Sequence, residues 1–232
     1  MSSSEVTIKG KHGDFMAYLS GPAGGGPGIV VVQEIFGVNK WLRDTCDMLA
    51  GKGYMAIAPD LFWPIQPGVQ LDPMVEADFN TGLDLYGKFN VDNSIDDIQS
   101  TITDLRGRDG CNGKVGVTGF CLGGLLTYLS VARTDADAGS AYYGVGIDGL
   151  LGEAGSIKAP TLIHIADEDA FVPKEASNQV REALEGHGVV SVHTYPGCDH
   201  GFARDSDANH YDKAATELAH GRTFDLFKST LS

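Results

Sequence analysis

Short runs of apolar residues alternate along the chain with longer segments in which apolar residues recur every three to four positions. The run at 28–34 is rich in β-branched residues, which is typical of a buried strand. In contrast, Ile95, Ile98, Ile102 and Leu105 follow a helical period and predict a helix over 92–107. Other strands are predicted at 54–62, 114–120, 140–146, 161–167 and 191–197. Other helices are predicted at 39–52, 122–133, 173–187 and 210–230, with a further helical segment after Pro73.

The N-terminal part begins with two short strands, EVTIKG and DFMAYLSGP, which predict a hairpin around His12 and Gly13. A turn at 23–28 and a proline- and glycine-rich loop at 63–73 interrupt the pattern. Strands that alternate with helices form a mostly parallel sheet with helices on both faces. We therefore predict an α/β fold, and the absence of repeats or long linkers predicts a single domain over residues 1–232.

Composition narrows the functional classes. A chain of 232 residues fits one domain, and its net charge of −14 disfavours nucleic acids and anionic membranes as partners. No apolar run is long enough to predict a membrane span, and MSSSEVTIKG lacks the features of a secretory signal. The four cysteines show no CxxC spacing, which disfavours a zinc site or disulfide framework. We therefore expect a cytoplasmic protein. Cys46 lies on the apolar face of the helix predicted at 39–52 and is expected to be a core residue.

The segment GFCLGG at 119–124 places Cys121 between a predicted strand and a predicted helix. Gly119 and Gly123 flank it, as the sharp G-x-S-x-G nucleophile turn requires, with cysteine in place of serine. A helix N-terminus also favours a thiolate. Cys121 is thus a candidate nucleophile, the alternative being a small buried side chain in a tight turn.

Two later strand ends supply partners for such a nucleophile. Asp167 and Asp169 follow the strand at 161–167, and His200 follows the strand at 191–197. Nucleophile, acid and histidine in this order, each beyond a separate strand, is the order of the α/β-hydrolase fold. The residues alone leave Asp167 and Asp169 as alternatives.

A fourth element, QEIFG at 33–37, follows the strand at 28–34. In this fold, the backbone amides of Ile35 and Leu122 are expected to form the oxyanion hole. The same arrangement places Glu34 near Cys121, although a buried negative charge disfavours a thiolate. A structural Glu34, paired with an arginine, is the alternative.

These motifs together resemble the dienelactone hydrolases, or carboxymethylenebutenolidases. The resemblance is carried by QEIFGVN (33–39), GFCLGG, YYGVG (142–146), DAFVP (169–173) and HGFAR (200–204). It implies a monomeric or weakly dimeric enzyme that needs no cofactor or metal and acts on a small-molecule lactone or ester. It also implies a triad of Cys121, His200 and Asp169, so the DAFVP match favours Asp169 over Asp167.

The resemblance gives Glu34 a switching role. A neutral resting thiol points toward Glu34 and away from His200, until substrate displaces the glutamate and Cys121 turns to His200 as a thiolate. The implied substrate-binding residues are Phe36, Phe79, Leu83, Tyr86, Tyr142 and Arg204. The family binds its substrate carboxylate with two arginines, but only Arg204 is present here, because Phe79 occupies the second position.

A thiolate suits lactones and esters with a good leaving group, such as an enolate. The sequence therefore predicts hydrolysis of an enol-lactone or a similarly activated small ester. A thioesterase or general carboxylesterase on the same fold is the first alternative. A non-enzymatic redox sensor, in which Cys198 forms a disulfide with Cys121, is the second.

Overall fold

An antiparallel hairpin opens the chain in the computed structural model, which describes residues 2–232. The described chain divides into two compact units, one ending at Gly116 and the other beginning at Val117. The first unit contains β1 (Ser2–Lys9), β2 (Asp14–Gly21), β3 (Gly26–Val32), α1 (Lys40–Gly51), β4 (Met55–Pro59), α2 (Glu76–Tyr86) and α3 (Val91–Gly107). Its strands lie in the order β1-β2-β4-β3, and only β3 and β4 pair in parallel.

Strand β5 (Cys111–Phe120) runs from the first unit into the second. The second unit continues with α4 (Leu122–Arg133), β6 (Ala138–Tyr142), a 3₁₀ helix (Asp148–Ser156), β7 (Thr161–Ala166), α5 (Lys174–Leu184), β8 (Val190–Tyr195) and α6 (Lys213–Leu231). Its strands lie in the order β5-β6-β7-β8, with parallel pairing from β6 to β8. Parallel strands joined by helices confirm the predicted α/β class.

Side-chain burial explains why these segments form these elements. All residues of β4, β6 and β7 are buried, as expected for strands covered on both faces. Helix α3 buries Ile95, Ile98, Ile102 and Leu105, the four residues that predicted it. Helix α1 begins after Asn39, whose side chain accepts a hydrogen bond from the amide of Leu42. Cys46 is completely buried on α1, as predicted for a core residue.

A buried polar cluster joins β6, β7 and β8 to helix α6. The ring of His164 is fully buried, and its Nδ1 lies 2.8 Å from the Tyr195 hydroxyl. Its Nε2 lies 3.1 Å from Ser140 Oγ and 3.2 Å from Thr223 Oγ1. Burial lowers the pKa of His164 well below 6.5, with smaller contributions from nearby cationic groups. The ring is therefore neutral, and its hydrogen bonds fix α6 on the sheet.

No helix among residues 2–232 is both long and apolar enough to cross a membrane. The prediction of a single domain over residues 1–232 stays a prediction, as do the cytoplasmic location and the oligomeric state.

Candidate active site

Cys121 lies at the sharp turn between β5 and α4, with φ of 56° and ψ of −116°. This is a sparsely populated conformation for a residue with a side chain. Its amide donates to the carbonyl of Tyr142 on β6, at 3.1 Å. A Cβ on Gly119 would overlap the carbonyl oxygen of Gly123, and one on Gly124 would overlap the carbonyl oxygen of Tyr142. The glycines thus permit the close approach that holds Cys121 in this strained turn.

His200 and Asp169 lie beside Cys121 within the second unit. The Nδ1 of His200 is 2.9 Å from Oδ2 and 3.1 Å from Oδ1 of Asp169, and both side chains are buried. The ring of His200 also forms a hydrogen bond with the side chain of Cys121. Since Nδ1 bonds to the carboxylate of Asp169, Nε2 is the ring nitrogen that is left to exchange a proton with the sulfur of Cys121. Asp167 instead forms an ion pair with Lys174, at 3.4 Å. The structure therefore brings together the three residues that the resemblance selected.

Two opposing effects act on His200. Burial alone would lower its pKa, but the charge of Cys121 and hydrogen bonds to Asp169 and Cys121 raise the pKa to about 10. A histidine with this pKa is protonated at neutral pH. An imidazolium is the partner that a cysteine nucleophile requires.

The catalytic acid and histidine are braced by backbone hydrogen bonds. Oδ1 of Asp169 accepts from the amides of Phe171, at 2.8 Å, and Val172, at 3.0 Å. Oδ1 of Asp199 accepts from the amides of Ala170, at 2.8 Å, and His200, at 2.6 Å. Asp199 thus connects the loop that carries Asp169 to the loop that carries His200. Sequence reasoning missed this role, although the position of Asp199 directly before His200 is a signal for it.

Two aromatic rings flank the histidine. Phe171 lies 4.9 Å from the His200 ring between centroids, and Tyr143 lies 5.0 Å from it, both edge-on. Tyr143 is also the other non-glycine residue in the described chain with a positive φ, at 36°. The quoted motifs YYGVG and DAFVP contain these residues, but their contact with His200 was not predicted. Together they restrict the ring to the orientation that faces Asp169.

The predicted oxyanion-hole residues lie in different units. Leu122 is the first residue of α4, so its amide is one of the N–H groups that the helix itself leaves unpaired. Ile35 is buried after β3 in the first unit, where its carbonyl lies close to Gly82 of α2. The oxyanion-hole role of both amides stays a prediction.

The other predicted residues of the first unit fall into two groups. Glu34 is buried at 3% exposure after β3, and the rings of Phe36 and Phe79 lie 6.0 Å apart. Leu83 and Tyr86 are exposed on α2. The roles of these residues stay predictions. The expected resting orientation of the Cys121 thiol, toward Glu34 and away from His200, also stays a prediction.

Three predicted features of the second unit have defined surroundings. Arg204 is buried and its Nη2 donates to Oδ2 of Asp207, at 2.8 Å. The hydroxyl of Tyr142 lies 2.6 Å from Thr223 Oγ1, and its ring packs on His164. Tyr142 thus belongs to the buried polar cluster that joins α6 to the sheet, and its predicted contact with substrate stays a prediction. Cys198 is buried and its thiol is free, and burial raises its pKa to about 11.

The chain is similar over its full length to known hydrolases. The sequence profile of the Dienelactone hydrolase family matches residues 15–231. A candidate carboxymethylenebutenolidase of Azospirillum brasilense is 45% identical over 231 residues, covering 96% of each chain. Carboxymethylenebutenolidase 1 of Cupriavidus pinatubonensis is 36% identical over 228 residues, covering 97% of each. A solved structure of a candidate dienelactone hydrolase from Klebsiella pneumoniae superposes with a TM-score of 0.84 at 29% identity, covering 98% of each chain.

The protein has the α/β-hydrolase fold and is an ester hydrolase that acts on small-molecule lactones or esters. The chain belongs to the dienelactone hydrolase family.

Proposed function

We propose that the protein hydrolyses enol-lactones, or similarly activated small esters, through a covalent cysteine acyl-enzyme. The observation that carries this proposal is the arrangement of Cys121, His200 and Asp169 around a strained turn at a helix N-terminus. Asp169 accepts a hydrogen bond from Nδ1 of His200 and orients the ring, which leaves Nε2 for proton transfer. This is the arrangement that nucleophilic catalysis requires.

The first half-reaction opens the lactone. The thiolate of Cys121 attacks the carbonyl carbon, and the carbonyl oxygen becomes an oxyanion held by the amides of Leu122 and Ile35. Collapse of this intermediate restores the carbonyl and breaks the ring C–O bond. The enolate leaving group takes a proton from the imidazolium of His200 and becomes a ketone. A thioester on Cys121 and a neutral His200 remain.

The second half-reaction releases the acid. The neutral ring of His200 takes a proton from water, and the hydroxide attacks the thioester carbonyl. The second tetrahedral intermediate collapses with the thiolate as leaving group, which restores the ion pair between Cys121 and His200. A simple alkoxide is a poorer leaving group than a thiolate, so an alkyl ester would return to substrate at the first intermediate. Sulfur as nucleophile therefore favours activated substrates.

Glu34 is proposed to act before this cycle. Its carboxylate, displaced by substrate, accepts the thiol proton, and the resulting thiolate turns toward His200. No cofactor or metal enters the proposed steps.

Rapid-quench mass spectrometry tests the proposal. With an enol-lactone as substrate, we expect an adduct of the substrate mass on the peptide that contains Cys121. Cys198→Ala is the matched control, because it removes a buried cysteine of the same unit and should leave the adduct unchanged. An unmodified Cys121 during steady turnover would refute the acyl-enzyme.

Two further measurements separate the alternatives. Equal kcat/KM values for enol-lactones, alkyl esters and thioesters would indicate a general carboxylesterase or thioesterase. A Cys121–Cys198 disulfide after mild peroxide, without lactone hydrolysis, would indicate a redox sensor.

A further inference from the structure

Arg204 is the cationic residue closest in sequence to His200, and its side chain already forms an ion pair within the protein. The side chain of Arg204 is 8% exposed and that of Asp207 is 3% exposed, and they form an ion pair at 2.8 Å. The guanidinium packs on Gly201, where Nη2 lies 3.1 Å from the position that a Cβ would occupy. Gly201 directly follows His200. The positive charge is thus held next to the catalytic loop, and an internal carboxylate neutralises it.

Asp207 is held firmly in this position. Its Oδ2 lies 2.8 Å from Nδ1 of His210, and its Oδ1 accepts from the amide of Asn209 at 3.1 Å. Burial would raise the pKa of Asp207, but the hydrogen bonds from Arg204, His210 and Asn209 lower it below its ordinary value. The carboxylate therefore stays ionised at neutral pH. Three separate donors thus hold the carboxylate in place beside Arg204.

The rest of the segment is acidic. Residues 199–212 contain four aspartates, at 199, 205, 207 and 212, and one arginine, Arg204, with no lysine. The Asp and Arg side chains of the segment give a charge of 1 − 4 = −3, of which the protonated His200 offsets one. An anionic group that approaches this segment is repelled by its aspartates and gains nothing from its one arginine, which Asp207 already neutralises, so the charge of His200 is the one attraction that the segment offers it. An uncharged group meets no such opposition.

We propose that this enzyme selects uncharged lactones or esters, and that Asp207 is the residue that sets this specificity. This inference rests on the proposed function, because it names the class of substrate for the same site. It replaces the expectation that Arg204 binds a substrate carboxylate. Asp207 acts through Arg204 and does not enter the chemical steps.

The test uses one enol-lactone in two forms, bearing either a carboxylate or a primary carboxamide of nearly the same shape. We expect the wild-type enzyme to have a kcat/KM about 10-fold or more in favour of the carboxamide, with the difference in KM. A charge-assisted hydrogen bond changes affinity by about 10- to 150-fold, which sets the scale of the effect. A wild-type preference for the carboxylate would overturn the inference.

Asp207→Asn tests the residue itself. Asparagine keeps the shape and can still accept from Arg204, but it removes the charge that neutralises the guanidinium. We expect the ratio of kcat/KM, carboxylate over carboxamide, to rise about 10-fold or more. Asp225→Asn, at an exposed position of α6, makes the same change in net charge and should leave the ratio unchanged. An equal rise in both variants would assign the effect to overall charge and refute the role of Asp207.

If the proposed function is wrong, neither lactone is turned over. The preference for an uncharged substrate is then tested by binding of the two lactones. Calorimetry of both lactones with Cys121→Ala should show tighter binding of the carboxamide, and tighter binding of the carboxylate would overturn the proposal. The wild-type and Cys121→Ala comparisons do not depend on the folding of Asp207→Asn.

Discussion

Replacing Cys121 with alanine should change the charge of His200. In the native protein, burial lowers the pKa of this histidine, while Cys121 and Asp169 together raise it to about 10. The variant keeps the burial and the carboxylate but loses both contributions of Cys121. We therefore expect the pKa of His200 to fall from about 10 toward its ordinary value of 6.5.

The change in charge is large enough to measure at one pH. At about pH 7.5, a pKa of about 10 leaves roughly 300 protonated rings for each neutral one. A pKa near 6.5 at the same pH leaves about 10 neutral rings for each protonated one. The histidine thus passes from almost fully charged to mostly neutral.

Ring ¹⁵N chemical shifts report this directly, because the two nitrogens of an imidazolium differ little and those of a neutral ring differ strongly. The seven histidines can be assigned with His200→Gln as reference. Cys198→Ala should leave the titration of His200 unchanged. A native His200 that titrates near 6.5, or a Cys121→Ala variant that keeps the native titration, would refute the ion-pair interpretation.

The remaining predictions concern turnover and stability. Cys121→Ala should abolish turnover and leave the circular dichroism spectrum unchanged. Cys121→Ser should keep low activity toward activated esters. More than a few per cent of activity in the alanine variant would contradict the assignment of Cys121 as nucleophile. Glu34→Gln should depress turnover strongly without loss of structure, and native activity in this variant would leave Glu34 a structural role. The pKa of His164 is lower in the folded state than in the unfolded state, so its stabilising contribution is complete above 6.5 and is lost as the pH falls. The free energy of unfolding should therefore fall below 6.5 by about 1.4 kcal/mol per pH unit from this residue, and urea titrations of His164→Gln should show a slope smaller by this amount.

The sequence predicted elements well where one local pattern dominates. The helix predicted over 122–133 has those bounds in the structure, because a glycine-flanked turn precedes it and a continuous apolar segment forms it. The 3₁₀ helix Asp148–Ser156 was not predicted, since its glycines interrupt any period of apolar residues.

The site was predictable only in part. Cys121 and His200 could be proposed from chain order, but the preference for Asp169 over Asp167 came from the resemblance to a family. The pairing of Arg204 with Asp207 was not predicted. Four aspartates lie in residues 199–212, and only the folded path of the loop decides which of them is buried against the guanidinium.

The strained turn at Cys121 depends on support from the neighbouring strand β6. Its amide bond to Tyr142 and the close approach of Gly124 to the same carbonyl both require that β6 is already in place beside β5. An isolated segment of β5 and α4 lacks this support, so it would relax to an ordinary conformation at Cys121. The strained conformation of the nucleophile therefore depends on a strand that follows it in the chain. A change that loosens β6 is expected to relax the turn and to lower activity without touching Cys121 itself.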